Sequence, residues 1–229
     1  MSKSIKDISW SFSALDQFER CPHQYYRQRV TKDCKQSDKS PALEHGNKVH
    51  TAMEDRIRSG VSLKADFQKF EPWAAQTEDL AAKLGADRYL ELEMAYTTEY
   101  KPCAWFDKKA WLRVKSDVIL ASTEQGVAVN IDWKTGRYHG ESSQLDLNAV
   151  AMFLRWPEIQ KVSACYIFLE DSAGRVNKTF ERAQLKDLMR PFLQVLQDVA
   201  HCHDVGEWPK KKNFSCRMFC PVKDCEFNG

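Results

Sequence analysis

The chain has 229 residues, 43% of them hydrophobic and 29% charged, with a formal net charge of +2. That length suffices for one sizeable core, and the near-neutral balance singles out no class of partner. Eight cysteines in a chain this long exclude a disulfide scaffold, no apolar run is long enough to span a membrane, and the opening Met1 to Asp7 shows no signal-peptide core, so the expectation is a cytoplasmic protein with reduced thiols.

Ser13, Gln17 and Phe18 read as a capped short helix ending near Cys21-Pro22. Leu43, Val49, Met53 and Ile57 fall at helical spacing and predict a helix from Pro41 to Arg58, stopped by Gly60. A further helix is expected around Ala74 to Leu84. From Tyr89 to Thr97 the pattern alternates, with Leu90, Leu92 and Met94 on one face and Glu91 and Glu93 on the other. This is strand periodicity, although a helix also accommodates it. Trp111–Ala121 and Gly126–Lys134 read as a hairpin turning at Ser122 to Gln125. Gln144–Arg155 reads as a helix stopped by Trp156-Pro157, Val162–Leu169 as a buried strand, and Asp171 to Gly174 as a turn. A long helix from Arg182 to about His203 carries Pro191 as an expected kink or break. The element order predicts an α/β fold, a mixed sheet flanked by helices, with no repeats or low-complexity linkers.

Four cysteines stand apart by position. Cys21 lies near the start, and Cys216, Cys220 and Cys225 lie near the end. Short spacing lets three thiolates wrap one centre, and Cys21 would close it and join the termini. Such ligands select zinc or an iron–sulfur cluster, and spacing alone does not choose. Arg27, Arg29, Lys32 and Lys35 follow Cys21, and Lys210 to Lys212 precede Cys216. Brought together, these runs would form a modest positive patch suited to phosphate; alone, each is an ordinary solvated face. Cys34, Cys103, Cys165 and Cys202 show no such pattern, and Cys165 reads as core. His201-Cys202-His203 reads as structural, since adjacent helical residues point in different directions.

A second constellation is acidic. Asp132 and Lys134 end an apolar strand and share a face, while Trp133 points away. Asp117 lies on the preceding strand of the hairpin and can converge on them. Two carboxylates and a lysine suit magnesium or manganese and a phosphate. An isolated Asp-x-Lys is often only a surface ion pair, but the string Val129 to Gly136 with Gln144 beyond it is more specific.

These residues resemble RecB-like nucleases of the PD-(D/E)XK superfamily, especially the branch carrying an iron–sulfur cluster. That branch includes CRISPR-adaptation nucleases, AddB-type nuclease domains and small phage exonucleases. Five matches carry the resemblance, in the family's order: Ser11 to Tyr25 with Cys21, Gly46-Asn47-Lys48-Val49-His50, Asp117, Asp132 to Gly136, and the C-terminal cysteines. The resemblance implies the PD-(D/E)XK restriction-endonuclease-like core over residues 1–229 as one domain, with 1–40 and 205–229 forming the cysteine region. It implies Asp117, Asp132, His50 and the main-chain carbonyl of Trp133 as ligands of a magnesium or manganese ion, and Lys134 as the catalytic lysine. Gln144 would contact DNA or support the site. Cys21, Cys216, Cys220 and Cys225 would hold a 4Fe–4S cluster, with zinc as the alternative. Two departures stand out: Asn148 occupies the place of a frequent family tyrosine, and the cysteine gaps are three and four residues. Glu54, on the His50 face, would orient that histidine or be solvated, and Glu93 reads as solvated.

The function this implies is metal-dependent hydrolysis of DNA phosphodiesters. An exonuclease leaving 5′-phosphates is the expected form, serving recombination, repair or DNA degradation in a cytoplasm, the host's if phage-encoded. DNA is the implied partner, with recombination or single-strand-binding proteins as further candidates and no membrane; oligomeric state stays open. The rivals are a non-catalytic nucleic-acid-binding or scaffold module on the same fold, and a zinc protein with no nuclease role.

Overall fold

The computed structural model describes residues 3–35, 40–137, 143–171 and 174–228. Two residues of the expected Asp171–Gly174 turn, Ser172 and Ala173, lie outside them. Strand β1 (Trp10–Ser11) leads into α1 (Phe12–Arg20). The helix is preceded by Ser11, two residues earlier than the expected cap at Ser13, and neither side chain bonds its backbone; the two hydroxyls face each other at 3.1 Å. Cys21 breaks the helix, and Pro22 opens the short α2 (Pro22–Tyr25), which runs into a π-helical turn over Tyr26–Val30. Helix α3 (Pro41–Ser59) buries Val49, Met53 and Ile57 on one stripe. It ends on Gly60, whose φ of 72° is the left-handed conformation glycine supplies without strain. Helix α4 spans Glu71–Leu84.

Strands β2 (Asp87–Tyr96), β3 (Pro102–Cys103), β4 (Leu112–Ser122) and β5 (Val127–Lys134) follow. Then come α5 (Gln144–Arg155), β6 (Lys161–Phe168), β7 (Arg175–Glu181) and α6 (Leu185–Val205). The sheet order is β3-β2-β4-β5-β6-β7, with β1 beside the start of β4. Only β1–β4 and β5–β6 pair in parallel, the second joined across α5. One face of the sheet packs α1, α5 and α6 through residues such as Leu15, Val150 and Phe192; the other packs α3 and α4 through Val49, Met53 and Ala74. Among the described residues no helix is long and apolar enough to cross a membrane.

Helix α5 is buried on most of its circumference and carries a fully buried polar tie to the sheet. Asn148 Nδ2 donates to Asn130 Oδ1 on β5 at 2.8 Å, with both residues buried. The asparagine at the family's tyrosine position is thus a core contact.

The structure departs from the sequence pattern in three places. Helix α6 runs unbroken through Pro191, which sits on its exposed side while Met189, Phe192, Leu196 and Val199 anchor the buried stripe. The edge strand β7 carries no clear periodicity signal, because it alternates weakly and is mostly exposed. Leu90 and Leu92 do not share a face. Leu90 packs with the α3–α4 cluster, and Leu92 with the α1–α5–α6 cluster. Glu91 between them has φ 50°, a left-handed backbone that is costly for a residue with a Cβ, and the strand changes phase there.

Candidate active site and metal centre

Strand β4 has two different neighbours on one edge. It pairs β1 at Leu112 and Arg113, and β5 only from Val118 onward, where Val118 faces Ile131. Among the described residues, 114–117 have no paired strand on that edge. Asp117 and Asp132 lie one step beyond the Val118–Ile131 pair, so their strands part where the carboxylates stand. The backbone N–H of Trp133 donates to Asp117 Oδ2 at 2.8 Å instead of to a neighbouring strand. The Trp133 indole is buried on the opposite face among the α3–α4 residues, as the alternation predicts.

Asp132 is buried and tied on both oxygens. Lys134 Nζ lies 2.6 Å from Oδ1, and Gln144 Nε2, at the start of α5, donates to Oδ2 at 2.8 Å. Burial pushes the Asp132 carboxyl up to about 6; Lys134 pulls the other way, and Asp117 adds to the rise. Tyr166 pairs with Asp132 in the β5–β6 ladder. Its hydroxyl donates to Gln144 Oε1 at 3.2 Å, and Lys134 Nζ sits 4.8 Å from its ring centre.

Helix α3 closes the site from the other side. A Cβ on Gly46 would stand 3.2 Å from Thr135 Oγ1, so the missing side chain lets α3 lie close against the end of β5. One turn later His50 Nδ1 reaches 3.4 Å from Asp117 Oδ2. That contact raises the affinity of His50 for its proton above the ordinary level, with burial opposing. Glu54 lines the same cleft and pairs with Arg58.

The cleft measures about 720 Å³ and is lined by His50, Glu91, Lys115, Asp117, Asp132 and Lys134, among others. Ligand atoms of His50, Glu91 and Asp117 all lie within 4.8 Å of one another. An imidazole nitrogen with carboxylate oxygens is a donor set for a hard divalent cation. The sequence pattern assigns Glu91 no role, and Glu93, the carboxylate weighed there, is exposed. Strand pairing reveals Glu91, since it stands opposite Asp117, but alternation conceals it. Lys115 Nζ holds Glu91 Oε2 at 2.6 Å, placing a second lysine in the cleft.

The cysteine region joins the two ends of the chain. His23 N donates to Pro209 O at 3.1 Å, Asn213 Nδ2 to Arg20 O at 3.2 Å, and Trp208 stacks on Tyr25 and Tyr26. Cys21, Cys216 and Cys220 are buried, and Cys225 is half-buried. Burial raises the Cys220 thiol, and Cys216 and Cys21 are near enough to raise it further. Cys165, expected in the core, is half-buried against the α3–α4 cluster, and desolvation pushes its thiol up to about 12; His203 packs edge-on to Trp208.

The expected positive patch is neutralised only in part, at Arg27 and Lys210. Arg27 pairs with both Asp33 and Asp224, Lys210 pairs with Glu226, and Lys211 donates to Glu19 O.

Residues 9–225 match the PD-(D/E)XK nuclease superfamily. No curated protein matches the chain. Among solved structures, a candidate exonuclease from Eubacterium rectale aligns over 97% of this chain and 87% of its own, with 14% identity and a TM-score of 0.51. At that identity the likeness is one of fold. A phage-related exonuclease from Haemophilus somnus 129PT aligns over 87% of this chain and 96% of its own, with 10% identity and a TM-score of 0.34. The family match spans the mixed sheet, its flanking helices and both cysteine-bearing ends, and on it the chain belongs to the PD-(D/E)XK nuclease superfamily.

Proposed function

We propose that the protein is a metal-dependent DNA exonuclease acting in recombination, repair or DNA degradation. The observation that carries this is the meeting of Lys134, Asp132, Asp117 and His50, from two strands and a helix, in one open cleft. A magnesium or manganese ion bound there supplies Lewis acidity toward a phosphate oxygen and makes water a better nucleophile. Asp117, Asp132, His50 and the Trp133 carbonyl would hold the ion, and Glu91 would add a carboxylate. Lys134 orients the attacking water and offsets negative charge growing on the phosphate. Gln144 bonds Asp132 and lies 3.5 Å from Lys134 Nζ, fixing their relative positions. The Tyr166 ring confines the Lys134 ammonium from its other side.

Residues 1–229 act as one nuclease domain. Cys21, Cys216, Cys220 and Cys225 carry a 4Fe–4S cluster that staples 1–40 to 205–229. Anaerobically purified protein is expected to be brown, with about four irons and four sulfides per chain. Colourless protein with stoichiometric zinc would remove the cluster.

The deciding experiment is cleavage of linear and circular DNA, single- and double-stranded, with magnesium, manganese or chelator, beside Lys134→Ala. Metal-dependent loss of linear DNA alone, abolished in a normally folded variant, is the expected result. Cleaved circles would make the enzyme an endonuclease. Wild-type cleavage by Lys134→Ala would sink the catalytic assignment.

A further inference from the structure

Three clefts of this protein lie side by side, each sharing lining residues with the next. The cleft holding Asp132 shares Lys115 and Gln144 with a second, of about 490 Å³, which passes Trp105 and Arg113 along the unpaired edge of β4. The second shares Ser13 with a third, of about 350 Å³, bounded by Gln17, Gln28, Arg29 and Phe219. Together they make a row of clefts, a segmented trench, from Lys134 to the joined termini.

Its charges differ from those nearby. Arg27 is held by two carboxylates outside the trench. Arg29, two residues on in the π-helical turn, lies inside it, and among the described residues its only hydrogen bond is from Nε to Gln17 Oε1 at 2.6 Å. Arg113 likewise bonds only neutral groups among the described residues, Trp105 O at 2.8 Å and the Ser9 hydroxyl. Arg20 is the counter-example, neutralised by Asp16 at 2.7 Å. Two guanidinium groups with free N–H donors and no counter-charge are ready receptors for phosphate. Aromatic surface alternates with them. Trp105 lies 6.0 Å beneath the Arg113 guanidinium, and Phe219 is 60% exposed at the far end.

We propose that this trench is the track of a single DNA strand leading to Lys134, with Arg113 and Arg29 taking its phosphates and Trp105 and Phe219 its bases. The proposal rests on the nuclease reading above and adds strand preference and path. A duplex keeps its bases stacked inside, so only an unpaired strand offers base faces to these rings.

The test is binding of fluorescent oligothymidylate and of blunt duplex of equal length in chelator, where nothing is cleaved. Wild type, Arg29→Gln, Phe219→Ser and the control Lys186→Gln are compared over a range of salt. All three positions are exposed, and circular dichroism checks their folding. Wild type should favour the single strand. Arg29→Gln should weaken binding roughly tenfold and reduce the salt slope by about 0.7, one phosphate contact on a single strand. Phe219→Ser should weaken it roughly tenfold with an unchanged slope, as loss of one stacked base does, and Lys186→Gln should match wild type. Wild-type binding by both trench variants, or equal affinity for duplex and single strand, would overturn the track while leaving a cleaving enzyme intact. A wild type that neither binds nor cleaves DNA would remove the nuclease reading with it.

Discussion

Glu91 and Asp117 face each other across β2 and β4 at the position their ladder skips. Leu90 pairs with Val118 and Leu92 with Ser116, and the register on both sides places Glu91 opposite Asp117. The left-handed turn of Glu91 and the parting of β4 from β5 therefore meet at one carboxylate pair, and strained backbone of this kind is concentrated at working sites.

Glycine tolerates φ 50° and alanine does not, which separates backbone from side chain at position 91. Glu91→Gly should be more stable than Glu91→Ala by about 1 kcal/mol in urea unfolding. Both should raise the magnesium needed for half-maximal cleavage about tenfold or more. Equal stabilities would argue against strain, and an unchanged metal requirement against a ligand.

Asp132 predicts an unusual pH dependence for the metal-free protein. Its carboxyl ionises near about 6 when folded, against about 3.9 in an unfolded chain. The folded state therefore binds this proton more tightly, and stability from this residue, full below about pH 4, is lost as pH rises through 6. Asp132→Asn keeps an uncharged side chain throughout. In chelator, the stability of the variant relative to wild type should grow by on the order of 2 kcal/mol between pH 4 and 7. Magnesium should shrink that growth by favouring the carboxylate. A constant difference would mean that Asp132 is not buried as a charge.

Gly46→Ala gains helix propensity, about 1 kcal/mol, but places a Cβ 3.2 Å from Thr135 Oγ1. The two effects should leave the melting temperature nearly unchanged. Cleavage should fall severalfold, because the helix must back away from β5 and take His50 from Asp117. Gly46→Ala with Thr135→Ala should recover activity. If the double variant stays impaired while Thr135→Ala alone is active, the close approach is not what the glycine provides.

Much of this architecture is legible in the sequence. Helix α5 begins and ends where its periodicity and Trp156-Pro157 place it, and α3 stops on Gly60. Asp132 and Lys134 share a face because strand geometry leaves no choice. What escapes depends on distant partners. The charge of Arg27 is cancelled by Asp224, 197 residues away, so counting cations overstates the patch. Glu91 is hidden because alternation assumes negative φ throughout a strand. Pro191 signals a break, yet the apolar stripe of α6 holds the helix together around it.

The Asn130–Asn148 bond has a consequence for aim. Leu145, Leu147, Val150, Met152 and Phe153 are all buried, so α5 is greasy nearly all round. Apolar contact alone sets the rotation of such a cylinder weakly. A shifted helix would strand two buried amides, at about 1 to 3 kcal/mol for each unmet group. That penalty keys the cylinder into one orientation. Gln144 lies one turn before Asn148 on the same face, so its bearing on Asp132 and Lys134 is inherited from a contact deep in the core that no substrate reaches.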